Sequence, residues 1–66
     1  MSNVRVIGER LRKLRGEMKR ETVCDACGIS VSALCLYETG KRVPRDEVKV
    51  KLASFFNTSV ESIFFT

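Results

Sequence analysis

The sequence predicts an all-α domain, and three observations carry that expectation. Apolar residues recur at helical spacing in several separate segments, first at Val4, Ile7, Leu11, Leu14 and Met18. Residues that open or close helices stand between these segments: Gly16, Gly28 and Gly40 where helices stop, Ser30 and Ser59 where they start. No stretch alternates apolar and polar residues with period two long enough to make a strand.

The first helix is expected from Val4 to about Met18, with Gly16 ending it or weakening its last turn. Arg5, Glu9, Arg10, Arg12, Lys13 and Arg15 lie between the apolar positions, which makes its outer face basic. A short second helix spans roughly Arg20 to Cys27. Val23 and Cys27 stand four apart on it, with Cys24 beside them, and Gly28 stops it because a helix end favours a residue tolerant of positive φ. Ser30 then supplies a side-chain oxygen to the free amides of a third helix, expected from Val31 to Thr39. That helix has two faces. Ala33, Leu34 and Tyr37 share one; Val31, Ser32, Cys35, Leu36 and Thr39 share the other. Gly40 closes it, and the basic loop "KRVPR" follows, where Pro44 blocks helix continuation. A fourth helix starts near Asp46, turns Val48, Leu52, Phe55 and Phe56 inward, and ends at Asn57. A short fifth helix lies in "TSVESIFF"; Ser59 is the expected N-cap, and Thr58 with Glu61 also fits a capping box.

Sixty-six residues make one small domain, residues 1–66, and the 44% apolar content supports one core and argues against disorder. The net charge of +4 points toward a polyanion, although it also suits simple solubility. No apolar run approaches the ~20 residues of a membrane span, so no membrane association is expected. The opening "MSNVRVIGER" lacks the layout of a signal peptide, which points to the cytoplasm and reduced thiols. An enzyme is not expected: there is no histidine, no phosphate-cradling glycine loop and no room for a deep pocket. For the same reason no cofactor and no small-molecule ligand are expected.

The stretch "VCDACGISVSALCLYETGKR" contains all three cysteines and has two readings. Cys24, Cys27 and Cys35 could form a metal or redox site, or they could be small apolar side chains on two helices joined by a tight turn. Zinc is disfavoured because it usually takes four ligands, and three thiols without a histidine leave it short. A thioredoxin-type pair wants a strand before the motif, and none is expected.

A helix of about eight residues, then Gly28-Ile29-Ser30, then a short helix ending in Tyr37-Glu38-Thr39-Gly40-Lys41-Arg42, resembles the helix-turn-helix of the lambda-repressor/Cro family. "IGERLRKLR" is similar to that family's first helix and "VKLASFFNTSVESIFF" to its last two, so the resemblance covers about residues 4 to 65. It implies a compact five-helix fold with the helix-turn-helix at helices two and three. It also implies that Cys24 stands where alanine is usual, Cys27 at a core position and Cys35 at a small outward one. It implies an ion pair between Glu38 and an arginine of the first helix, Arg15 by register, with Lys13 as the alternative. The chain departs from the family at the start of the second helix, where a Ser or Thr cap and a glutamine are replaced by Lys19 and Arg20.

The implied function is a sequence-specific regulator of transcription, a small repressor, that binds double-stranded DNA. The major groove admits one helix and exposes distinguishable base edges. The third helix would enter it with Val31, Ser32, Cys35 and Leu36, and Ser30, its cap, would also meet the DNA. The second would cross the backbone with Arg20 toward a phosphate, and Thr39, Lys41 and Arg42 would hold phosphates beyond the third helix. The reading face lacks the Gln, Asn or Arg of bidentate base contacts. Thymine methyls and DNA shape therefore carry more weight. The alternative for Val31 and Leu36 is packing against a protein surface, which keeps open a helix-turn-helix adaptor or antirepressor. A thiol-based sensor is a third class. A reader this small touches few base pairs, so a homodimer on DNA, weak or absent in free solution, is expected; one or two aromatics of the cluster Phe55, Phe56, Ile63, Phe64 and Phe65 are left over for a contact through the C-terminal helix.

Overall fold

The structure is a computed structural model and describes residues 3–65. Its five helices are α1 (Val4–Arg15), α2 (Arg20–Cys27), α3 (Val31–Glu38), α4 (Asp46–Phe55) and α5 (Val60–Phe64), and no strand occurs among the described residues. None of these helices is long and apolar enough to cross a membrane.

The helix borders follow from local chemistry. Asn3 caps α1 through its side-chain oxygen, which accepts from the Val6 amide at 2.9 Å. Ser30 does the same for α3, accepting from Ala33 N at 3.0 Å, and Ser59 for α5, accepting from Ser62 N at 3.1 Å. The cap of α5 is therefore Ser59 and not the Thr58–Glu61 box. Lys19 precedes α2 without any side-chain cap, as the departure from the family pattern implies. Gly28 adopts φ 67°, the left-handed conformation that lets the chain reverse after α2, and both its own amide and that of Ile29 return to the Cys24 carbonyl. Asn57, at φ 54°, makes the corresponding turn after α4, where Thr58 N bonds Ala53 O at 2.9 Å.

Two borders differ from expectation. The first helix ends at Arg15, and Gly16 (φ 57°) takes the chain away, so the apolar stripe stops short. Met18, beyond this turn, is 39% exposed; Leu14, still within α1, is 40% exposed; neither belongs to the core. The third helix ends at Glu38, with Thr39 as its C-cap.

The core joins Ile7 and Leu11 of α1, Val23, Cys24 and Cys27 of α2, Leu34 and Tyr37 of α3, Leu52 and Ala53 of α4, and Ile63 and Phe64 of α5. Val48, Phe55 and Phe56 lean on it from the side, the last two with rings edge to face at 5.1 Å. α1 packs on α3 and α5, while α2 packs on α3 and α4. Arg10 ties α1 to the end of α5 by donating Nη1 to the Ile63 carbonyl at 3.0 Å.

The tightest approach is at Gly8, a residue that periodicity leaves without a role. A methyl group there would lie 2.6 Å from the carbonyl oxygens of both Tyr37 and Glu38. Only a bare Cα lets α1 rest on the last turn of α3. Gly8→Ala gains helix propensity, worth about 1 kcal/mol, but forces the two helices apart. The expected net outcome is destabilisation of roughly 1–3 kcal/mol, read as a lower urea midpoint; an unchanged or higher midpoint would refute the close approach.

Candidate nucleic-acid interface

α3 is apolar on nearly all sides, so its partition between core and solvent is decided by packing. Leu34, Tyr37 and Glu38 are buried, and Ala33 is half-buried. The other side carries Val31 and Ser32, both exposed, and Cys35 and Leu36, both half-buried. These four fall one turn apart in pairs and form a single outward stripe.

Beyond α3 the backbone folds back on its own last turn. Gly40 takes φ 75°, its amide reaches Tyr37 O at 3.2 Å, and Lys41 N and Arg42 N reach Leu36 O at 2.9 and 3.3 Å. This closure places two exposed cations directly past the outward stripe. Thr39 is exposed, but its hydroxyl is turned inward, donating to Cys35 O at 2.7 Å. Ser30 is exposed at the head of the same helix and serves as its cap.

Arg20, which the sequence reading directs toward a phosphate, also has a partner within the domain. Its Nε donates to Glu38 Oε1 at 3.1 Å. The same carboxylate takes Arg15 in a two-pronged contact, Nε to Oε2 at 2.6 Å and Nη2 to Oε1 at 3.1 Å. Arg15 spends its remaining Nη1 on Met18 O at 2.8 Å, which pins the link between α1 and α2. The Glu38 side chain is fully enclosed, Arg15 is 15% exposed and Arg20 38%. The bond to Glu38 holds the Arg15 guanidinium protonated even more firmly than usual. Arg15 is thus the arginine that the register indicated; Lys13 is exposed and not the partner. Sequence reasoning missed Arg20 as a second partner. Its position at the head of α2, with no cap before it, was the available signal.

Cys24 and Cys27 are buried and Cys35 is half-buried; all three are free thiols. Cys27 donates its S–H to Lys51 O at 3.7 Å. Burial raises both the Cys24 and the Cys27 thiol above the ordinary value. No group of three or more potential ligands among the described residues could hold a metal ion.

Five helices, a tight Gly28 turn between two eight-residue helices and an outward stripe on the second of them define a DNA-binding helix-turn-helix domain. A profile of the helix-turn-helix domain family matches residues 6–63, and the chain belongs to that family. It is lambda-repressor/Cro-like in architecture. The crystal structure of the restriction-modification controller protein C.AhdI from Aeromonas hydrophila is similar to it, with a TM-score of 0.83 and 27% identity over 92% of this chain and 96% of that one. No curated protein matches. The family is one of transcriptional regulators that bind DNA.

The placement of the thiols makes an ordered labelling experiment informative. A disulfide reagent at neutral pH should modify Cys35 well before Cys24 and Cys27, because the buried pair is both shielded and less ionised. The slow pair should react at the rate of global unfolding. Equal rates for all three would contradict the packing of α2.

Proposed function

We propose that the protein is a sequence-specific repressor that reads the major groove of duplex DNA with α3. The observation that carries this is the outward stripe of Val31, Ser32, Cys35 and Leu36, with Lys41 and Arg42 clamped by their amides to the end of the same helix. In this reading the stripe meets base edges, while Lys41, Arg42 and Arg20 contact phosphates and set register. Ser32 hydrogen-bonds a base, and Val31 and Leu36 touch thymine methyls. Ser30 holds the N-terminal turn of α3 in shape, and Thr39 approaches the backbone past its end. The chain acts as a binding module, with no catalytic step. Similarity to a restriction-modification controller adds support for a regulatory role.

The protein acts as a homodimer on a two-fold symmetric site. Ile63 and Phe64 complete the core at 1% and 3% exposure, but Phe65 is 56% exposed and sits 4.9 Å from Lys49 Nζ on α4. That leaves one aromatic, with Val50 (58% exposed) on α4, for a twofold contact. The apolar character of the α3 stripe favours one other reading, an adaptor or antirepressor that binds protein through the same face.

Three measurements separate these readings. Lys41→Ala and Arg42→Ala should weaken every duplex about equally and flatten the slope of log K against log salt by up to ~0.9 each; binding without salt dependence would favour the adaptor. Duplexes selected from a random pool should be two-fold symmetric with half-sites ~34 Å apart, and uracil in place of each contacted thymine should cost about fourfold. Sedimentation with a selected duplex should give two protomers per site, and Phe65→Ser should reduce this to one; a one-to-one complex at saturating protein would exclude the dimer.

A further inference from the structure

The buried Glu38 raises a question of sign. A carboxylate close to a DNA-binding face should repel phosphates, yet this one lies fully enclosed between α1, α2 and α3 and takes two arginines. The two arginines are not equivalent. Arg15 is consumed: Nε and Nη2 bind Glu38, Nη1 binds Met18 O, and little of it is exposed. Arg20 contributes only Nε to Glu38, and 38% of its side chain remains exposed. A guanidinium held through Nε has its plane fixed and keeps both terminal Nη groups for another acceptor. Arg20 is also the first residue of α2, at the positive end of that helix, where Lys19 provides no competing cap.

We propose that Glu38 is a positioning residue for DNA binding: its carboxylate holds Arg20 by Nε so that the outer Nη edge is presented to a backbone phosphate at the head of α2. The inference rests on the DNA-binding reading and adds to it a residue that touches no DNA. Arg15 provides the second positive charge, so the cluster of two arginines and one carboxylate keeps a net charge of +1 after Arg20 is fixed. Without the carboxylate, Arg20 would sweep its rotamers and bind the phosphate only at an added entropic cost.

The test is Glu38→Gln, because the two explanations predict opposite signs. The substitution raises the net charge from +4 to +5, and bulk electrostatics alone then tightens binding to duplex. The positioning role predicts weaker binding by roughly tenfold at ~0.1 M salt and a salt slope flattened by up to ~0.9, as for Arg20→Ala. The double variant Glu38→Gln with Arg20→Ala should then show the same slope as Arg20→Ala alone. Affinities are compared per folded molecule, with the folded fraction read by circular dichroism. Unchanged or tighter binding by folded Glu38→Gln overturns the proposal. Should that variant fail to fold, the Arg20 Nε–H proton of the native protein decides by NMR. Slow exchange both free and bound to duplex supports the positioning role, and free exchange in the complex overturns it. Failure of the native protein to bind any duplex in a salt-dependent way would instead bring down the DNA-binding reading itself.

Discussion

A carboxylate with no exposure, Glu38, stands where three helices meet, and the architecture is arranged around satisfying it. Burial of a lone carboxylate costs several kcal/mol, so the charge persists only with partners of good geometry. The partners arrive from two directions, Arg15 from the end of α1 and Arg20 from the start of α2. Each fixes a different part of the fold. Arg15 also bonds the carbonyl of Met18, which sets how the chain leaves α1, and Arg20 sets where α2 begins against α3. The same last turn of α3 that bears Glu38 receives Gly8 of α1 at backbone contact, two helical turns before Arg15. Steric fit at Gly8 and charge pairing at Arg15 thus act along one face of α1 and lock it to α3 at two heights.

That lock accounts for how a helix with little amphipathic character is held in one orientation. α3 has apolar side chains on both faces, and hydrophobic burial alone would tolerate other rotations about its axis. Glu38 removes the ambiguity, since only one rotation brings its carboxylate to the arginines while Leu34 and Tyr37 enter the core. The remaining apolar residues, Val31 and Leu36, are then left outward by exclusion. The desolvation of a buried ion pair offsets much of its Coulombic gain, so its presence is weak evidence for net stability.

The cysteines illustrate a constraint of size. Cys24 and Cys27 are buried in the core on α2, Cys27 against the Lys51 carbonyl of α4, and a small, polarisable side chain suits both. Their burial raises their pKa and makes them poor nucleophiles, which argues for packing and against reactivity. Cys35 has the same chemistry in a different place and keeps part of its surface in solvent.

Much of the fold was legible in the sequence because its signals are local. Ser30, Ser59 and Gly28 act within a turn of where they stand, so three helix borders followed from residue type alone. The outward stripe of α3 followed from spacing once Leu34 and Tyr37 were assigned inward, and the family resemblance indicated Arg15 as the partner of Glu38. Tertiary structure decided what depends on contacts between distant residues. The stripe of α1 continues in sequence to Leu14 and Met18, but Gly16 and the Arg15–Met18 bond turn the chain aside before Met18, and Leu14 in the last turn of α1 stays 40% exposed. Gly8 looks like a flaw in a helix until the carbonyls of Tyr37 and Glu38 are seen against it. Arg20 reads only as a phosphate contact because the acid that holds it lies 18 residues further along the chain. Caps and periodicity report on a residue's neighbours in sequence; a close approach or a shared buried charge exists only once the helices have packed.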